Sequence, residues 1–281
     1  MHTTFSFLSR AVAGAALLAS VGTAVAARHD VPAPRRVYGA PLTLGEGAAR
    51  TFVTLDAAGR PATLGVALSE KALNGLPQTP MHGGPSAAML ILALPEAARS
   101  TGFDHVMLDW NPAGHEPEHV YTEPHFDFHF YNITSAERES ITPQNPEWAA
   151  KVAAFPGAEY VPNGYAAASN LAGAPPAAVG VPLMGMHWLD VASPELQPPP
   201  NGKTFTSTFI YGTWDSRFIF VEPMITRAHL MSVKSIPSGF TYQVGQSQKV
   251  TTPGMYPTSY SITFDPTARE YRVTLEGLRA R

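Results

Sequence analysis

The clearest pattern along the chain is a period-two alternation of apolar and polar residues, which is typical of β-strands. It predicts three hairpins, in each of which two strands flank a short polar turn. Their turns contain residues 56–59, 215–216 and 265–268. Further strand-like segments are residues 103–110, 125–133 and 183–189. The pattern therefore predicts a mainly β fold, either an antiparallel sandwich or a barrel-like single domain.

Two other patterns complete this picture. Residues 88–94 form a continuous apolar run of strand length, which predicts a strand buried on both faces. Helical spacing or end signals predict short helices over residues 69–76 and 147–155. The 23 glycines and 27 prolines disfavour a helical bundle, because proline disrupts helix interiors. We expect only a few short helices around the sheets.

The N-terminus has the layout of a secretory signal peptide. Arg10 precedes an apolar run over residues 11–21, and Ala24 and Ala26 supply the small residues of a cleavage site. We expect a signal peptide over residues 1–26 and a single β-rich domain over residues 27–281, beginning with an extended arm over 27–44. The mature protein is then periplasmic or secreted. No membrane insertion is expected after cleavage, because no later stretch reaches the ~20 apolar residues that span a bilayer.

Charge and composition exclude several classes of function. The formal net charge is -3, so the chain lacks the basic field that holds nucleic acid. It has neither a glycine-rich phosphate loop nor the Gly-x-Ser-x-Gly elbow of serine hydrolases, so no nucleotide cofactor is expected. It also has no cysteine, so any metal ion must be bound by histidine, carboxylate or backbone oxygen.

The strand predicted over residues 125–133 has two very different faces, because alternate residues of a strand share a face. One face is aromatic and contains Phe126, Phe128 and Phe130. The other is ionisable and contains His125, Asp127 and His129. The aromatic face is explained by a core. The ionisable face indicates either a metal or catalytic site, or a hydrogen-bonded polar network that lines a wet cavity.

Strand spacing limits how these residues bind an ion. Residues four apart in a strand are separated by roughly 13 Å, so His125 and His129 cannot ligate one ion from a regular strand. Asp127 then pairs with one histidine, lies between two sites, or orients a ligand. His187 and Glu222 lie in apolar strand-like segments, and Glu222 is in register with Phe218 and Phe220. We expect His187 and Glu222 to converge with the ionisable face on one pocket.

Three further residues are candidates for orienting the ligands, namely His115, Glu116 and Asp190. His115 and Glu116 begin a literal His-Glu-x-x-His string that ends at His119, as in zinc peptidases. That motif requires a helix, and Pro117 lies inside it. We therefore expect a non-helical loop over residues 115–119, with His115 and Glu116 directed back at the strand.

Several segments resemble an uncharacterised family of exported bacterial proteins, a domain of unknown function. The likeness depends on residues 109–117, 184–188, 218–226 and above all 124–131, with the sequence Pro-His-Phe-Asp-Phe-His-Phe-Tyr. Weaker likeness extends over residues 45–231. The resemblance implies a β-rich fold and self-assembly into a homo-oligomer. The resemblance implies no activity, because the family has no activity that can be transferred to this chain.

Three functions remain open. The chain is a metal-dependent hydrolase or lyase, a non-enzymatic metal-binding envelope protein, or a protein that binds an unknown small molecule beside the polar strand face. The His and carboxylate ligands suit zinc, iron or manganese, and the sequence does not choose among them.

The first prediction concerns the N-terminus. Mass spectrometry of protein purified from the native cells should find a chain that begins at Ala27, because signal peptidase cleaves after small residues. Intact Met1 on protein recovered from the cytoplasm would contradict export.

Overall fold

A computed structural model describes residues 1–2, 35–81 and 84–281, and within these ranges the chain forms sixteen strands and five short α-helices. The strands are β1 Arg35–Tyr38, β2 Leu42–Leu44, β3 Gly47–Leu55, β4 Pro61–Ser69, β5 Ala88–Ala93, β6 His105–Asn111, β7 His125–Tyr131, β8 Tyr165–Ala167, β9 Met186–Asp190, β10 Ser207–Trp214, β11 Arg217–Thr226, β12 Phe240–Gln243, β13 Met255–Tyr256, β14 Ser259–Asp265, β15 Glu270–Glu276 and β16 Arg279–Ala280. The helices are α1 Ser135–Glu139, α2 Trp148–Ala153, α3 Ala168–Ala172, α4 Pro176–Val179 and α5 Arg227–Ser232. Short 3-10 helices cover Glu70–Leu73, Glu96–Thr101, Ala158–Tyr160, Pro194–Leu196 and Val233–Ser235.

The strands form two antiparallel seven-stranded sheets and one short pair. Sheet A has the order β1-β3-β4-β15-β14-β12, with β2 also paired to β3. Sheet B has the order β5-β6-β7-β11-β10-β9-β8, and β13 pairs with β16. Both large sheets are open, which confirms the mainly β prediction and favours its sandwich alternative over a barrel.

One apolar core joins the two sheets. Sheet A contributes residues such as Val53 and Leu64, while sheet B contributes the phenylalanine face of β7. Phe126, Phe128 and Phe130 are all fully buried in this core, as the alternation in the sequence predicts. Because one face of β7 packs into the core, its ionisable residues must lie on the opposite face of sheet B.

The three predicted hairpins are confirmed as β3–β4, β10–β11 and β14–β15. In the second hairpin, the turn residues Asp215 and Ser216 have φ values of 51° and 63°. Two successive positive φ values are those of the tight turns that match the twist of paired strands. This turn brings β11 back beside β10, and β11 also pairs with β7.

The prediction for residues 88–94 is wrong in one respect. The segment forms β5, but β5 is the edge strand of sheet B, and Met89 and Ile91 are exposed on one of its faces. An apolar run does not distinguish a central strand from an edge strand, because its composition is compatible with both.

Residues 3–26 of the predicted signal peptide and residues 27–34 of the N-terminal arm lie outside the described residues. The part of the arm that is described forms β1 and β2, which both pair with β3. The described residues from 35 onward, 35–81 and 84–281, form one compact unit. In the described part of the chain, no helix is long and apolar enough to cross a membrane.

The packing of β7 predicts a large effect of one substitution. Phe128→Ala should lower the free energy of unfolding by about 3–5 kcal/mol, because it leaves a cavity between the sheets. Leu171→Ala is the control, since Leu171 is 49% exposed and should change stability little. Urea unfolding of both variants measures the difference, and equal losses would contradict the assignment of the phenylalanine face to the core.

Candidate metal centre

The candidate site lies at the middle of sheet B, on the face turned away from the shared core. β7 is paired there with β6 on one side and β11 on the other. Antiparallel pairing places Asp109 opposite Asp127, and Asn111 opposite His125. The ionisable row of β7 therefore has polar neighbours on β6 as well.

The first group of side chains is the inner triad of His129, His187 and Glu222, contributed by β7, β9 and β11. Nε2 of His129 lies 3.3 Å from Oε1 of Glu222, and Nε2 of His187 lies 3.6 Å from Oε2 of the same carboxylate. The three ligand atoms lie within 4.8 Å of one another. His129 and Glu222 are buried, and the His187 side chain is 16% exposed.

The second group is the outer triad of His115, His125 and Asp127. Nε2 of His125 lies 3.1 Å from Oδ1 of Asp127, and Nε2 of His115 lies 3.4 Å from Oδ2. Its three ligand atoms also lie within 4.8 Å of one another. His125 and Asp127 are buried on the strand, whereas the His115 side chain is 24% exposed.

The structure thus brings the five predicted metal ligands together as two groups and not at a single point. His129 joins His187 and Glu222, while His125 and Asp127 meet His115 instead. This division follows the spacing along β7, where residues four apart cannot reach one ion. His115 was predicted only to orient a ligand. In the structure its Nε2 faces the Asp127 carboxylate, as the Nε2 of His125 does.

The other two residues predicted to orient ligands have different contacts. The Glu116 carboxylate accepts a hydrogen bond from the backbone N–H of Glu118, and it is the Glu116 carbonyl that accepts one from Nδ1 of His115, at 2.7 Å. The Asp190 carboxylate accepts a hydrogen bond from the backbone N–H of Ala192. The backbone of residues 115–119 runs through bends and turns, which confirms that the His-Glu-x-x-His string is not a peptidase helix.

Asp109 and Asn111 are site residues that the sequence reading missed. Nδ1 of His129 lies 3.4 Å from Oδ2 of Asp109, and Nδ2 of Asn111 donates a hydrogen bond to Oδ2 of Asp127 at 2.6 Å. Both lie in β6, which ends one residue beyond the strand predicted over residues 103–110. Asp109 and Asn111 are two residues apart and therefore share one face of β6. This spacing indicates site residues only once β6 is known to pair with β7.

Burial dominates the electrostatics of the inner triad. It lowers the pKa of His129 to about 4 and that of His187 to about 3. It also raises the pKa of Glu222 well above its usual range, and the nearby Asp127 and Asp109 carboxylates raise it further. Burial and the Asp127 charge together raise the pKa of Asp109 to about 8. The surroundings therefore favour the neutral forms of these groups.

The outer triad has the opposite electrostatic character. Burial alone would raise the pKa of Asp127, but the adjacent His125 and His115 outweigh it and hold that pKa well below its usual range. Burial likewise opposes the charged form of His115, but its contact with Asp127 outweighs burial and raises the pKa of His115. Asp127 is thus the anionic centre of the polar face.

An aromatic ring closes one side of the inner triad. The Phe220 ring centroid lies 5.1 Å from that of His129 and 5.6 Å from that of His187, with both contacts edge-on. The ring lies over Gly212 of the adjacent strand, where an added Cβ would come within 2.0 Å of it. A residue without a side chain is therefore required at position 212.

A bulge in β11 corrects one predicted register. Gly212 pairs with Phe220 while Thr213 pairs with Phe218, so Ile219 is an extra residue between them. Phe218 consequently contacts Trp188 in the shared core, on the face opposite to His187. Of the two phenylalanines predicted to share a face with Glu222, only Phe220 does so, because the bulge reverses the alternation.

Part of the chain matches a known family. Residues 56–110 match the model of the TTHB210-like family, described as "Hypothetical protein TTHB210". The matched segment ends in β6 and includes Asp109 but none of the six triad residues. No curated protein and no solved structure matches the chain. The match supports the resemblance to an uncharacterised family and supplies no activity.

The contact between Asn111 and Asp127 predicts a measurable loss of stability. Asn111→Ala should lower the free energy of unfolding of metal-free protein by about 1–3 kcal/mol, because the buried carboxylate loses its amide donor. Asn201→Ala is the control, since Asn201 is exposed. If urea unfolding shows no difference between these variants, the Asn111 hydrogen bond does not support the polar face.

Proposed function

We propose that this protein binds a divalent transition-metal ion through His129, His187 and Glu222. The observation that carries the proposal is a set of buried polar atoms that, among the described residues, have no hydrogen-bond partner. They are both ring nitrogens of His129, both carboxylate oxygens of Asp109 and Oε2 of Glu222. Buried polar groups are normally paired, because an unpaired one costs about 1–3 kcal/mol. One cation in the triad would satisfy Nε2 of His129 and Oε2 of Glu222 together, and Asp109 lies on the other side of the His129 ring.

The distances support this proposal. A tetrahedral ion with bonds of 2.0–2.1 Å holds its ligand atoms roughly 3.3 Å apart. The two nitrogen–oxygen distances of the inner triad are 3.3 and 3.6 Å, which is close to that separation and longer than most hydrogen bonds. These distances run to the two different oxygens of Glu222, and all three ligand atoms lie within 4.8 Å of one another.

The surroundings of His129 support it as well. A histidine that binds a metal usually donates its second ring nitrogen to a carboxylate or carbonyl, which fixes the ring. Asp109 lies on the Nδ1 side of His129, opposite the nitrogen that faces Glu222. Two imidazoles and one carboxylate suit zinc, iron or manganese.

A binding titration tests the proposal. Metal-free mature protein should bind Zn²⁺, Fe²⁺ or Mn²⁺ in calorimetry, and binding should raise the unfolding temperature, because the ion stabilises only the folded chain. Glu222→Gln keeps the size of the side chain but cannot supply an anionic oxygen to the ion. We expect it to weaken the affinity of the inner triad by at least about tenfold, since loss of mere supporting contacts costs 10- to 100-fold.

The surface pair of His119 and Glu118 provides a matched control. Its Nε2 and Oε1 atoms lie 3.6 Å apart, the same distance as in the His187–Glu222 pair, but both side chains are exposed. His119→Ala should therefore leave metal affinity unchanged. If Glu222→Gln and His119→Ala bind the metals equally well, the inner triad is a hydrogen-bonded polar network and not a metal centre.

A metal-dependent hydrolase or lyase is the second candidate function. Three protein ligands leave a fourth position on a tetrahedral ion, at which the ion would supply Lewis-acid chemistry. The partial exposure of His187 favours this candidate, since it marks the side of the triad nearest to solvent. Zinc-loaded protein should then hydrolyse at least one of a panel of chromogenic esters and phosphoesters, and Glu222→Gln should not. If neither protein is active, non-enzymatic metal binding is the better explanation.

We also propose that the protein works in the periplasm or outside the cell. The proposal depends on the charge, apolar run and small residues of the N-terminal 26 residues. The absence of cysteine is compatible with such a compartment, because a chain of this size buries enough apolar surface without disulfides.

A further inference from the structure

The outer triad directs two imidazole nitrogens at one carboxylate. Nε2 of His125 faces Oδ1 of Asp127 at 3.1 Å, and Nε2 of His115 faces Oδ2 at 3.4 Å. None of these three residues belongs to the inner triad. Whatever the outer triad binds is therefore held by its own side chains.

Hydrogen bonds on the far side of each ring determine where its proton lies. Nδ1 of His125 donates to the Glu123 carbonyl at 2.7 Å, and Nδ1 of His115 donates to the Glu116 carbonyl at 2.7 Å. A carbonyl oxygen only accepts hydrogen bonds, so Nδ1 is protonated in both rings. In the neutral imidazoles, each Nε2 then carries a lone pair. Both lone pairs face Asp127, and that of His125 also lies 3.4 Å from the Asn111 amide nitrogen.

Two lone pairs that face a carboxylate repel it unless positive charge lies between them. The Asp127 carboxylate cannot easily turn away, because Asn111 donates to its Oδ2 at 2.6 Å. Its Oδ1 has no hydrogen-bond partner in the described ranges, although the residue is only 4% exposed. A single added proton satisfies one imidazole, whereas a single metal ion satisfies both imidazoles and the carboxylate.

We infer that the outer triad is a second site for a divalent transition-metal ion, bound by Nε2 of His115, Nε2 of His125 and a carboxylate oxygen of Asp127. The carbonyl groups behind the two rings are the kind of partner that orients metal-binding imidazoles. The distances of 3.1 and 3.4 Å, measured to the two different oxygens of Asp127, again approach the ligand separation of roughly 3.3 Å around a tetrahedral ion.

The second ion also joins two separate parts of the chain. His125 and Asp127 lie in β7, whereas His115 lies in the segment of residues 112–124 that connects β6 to β7. The 24% exposure of the His115 side chain marks the side from which an ion reaches the buried strand residues. Binding there fastens the connecting segment over the polar face.

Counting bound ions tests this inference. Metal-free mature protein is titrated with Zn²⁺ by calorimetry, and metal is measured again by mass spectrometry after dialysis. We expect two ions per wild-type chain, one in His115→Ala, one in Glu222→Gln and none in the double variant. His115 lies in a loop, and thermal unfolding of the metal-free variants checks that each is folded. Asp127→Asn keeps the size of the side chain and should remove the same ion as His115→Ala.

This experiment distinguishes failure of the proposed inner site from failure of the inferred outer site. If Glu222→Gln loses an ion but His115→Ala and Asp127→Asn lose none, the outer triad is a proton-linked polar pair and the inference is overturned. If His115→Ala loses an ion but Glu222→Gln does not, the inference stands and the proposed inner site fails. His119→Ala, which alters a histidine in the same connecting segment, should bind as many ions as the wild type.

Discussion

Burial of a row of ionisable side chains on one face of sheet B is the constraint on which the rest of the structure depends. Polar groups removed from water are destabilising unless each finds a partner. Here His125, Asp127 and His129 cannot move to the surface, because the alternate residues of β7 fill the core between the sheets. Their partners must therefore come from the neighbouring strands and from the segment that covers them. Strands β6, β9 and β11 supply these neighbours, although several of the buried atoms, among the described residues, still have no hydrogen-bond partner.

Much of the fold could be predicted because it depends on local signals. The alternation in β7 and the polar turns of the three hairpins are both encoded by neighbouring residues. The exposed face of β5 could not be predicted, because an apolar run has the same composition at the centre and at the edge of a sheet. The reversal of side-chain alternation at Ile219 could not be predicted either, because a one-residue bulge does not change the apolar pattern of the sequence.

The candidate site was predictable as a set of residues but not as an arrangement. Strand spacing showed that His125 and His129 cannot share an ion, yet only the pairing of distant strands reveals which partners each has. Asp109 and Asn111 were missed for the same reason. The contribution of His115 depends on the path of the loop between β6 and β7, which the prolines of that loop determine only in part.

The contact between Phe220 and Gly212 links the size of two residues in adjacent strands. Because the ring occupies the space above the glycine, any larger residue at position 212 would collide with it, and the same ring contacts His129 and His187. A larger residue at position 212 must therefore be accompanied by a smaller one at position 220 if the imidazoles are to keep their geometry. A change of volume at either position therefore reaches both imidazoles through the one aromatic ring that contacts them.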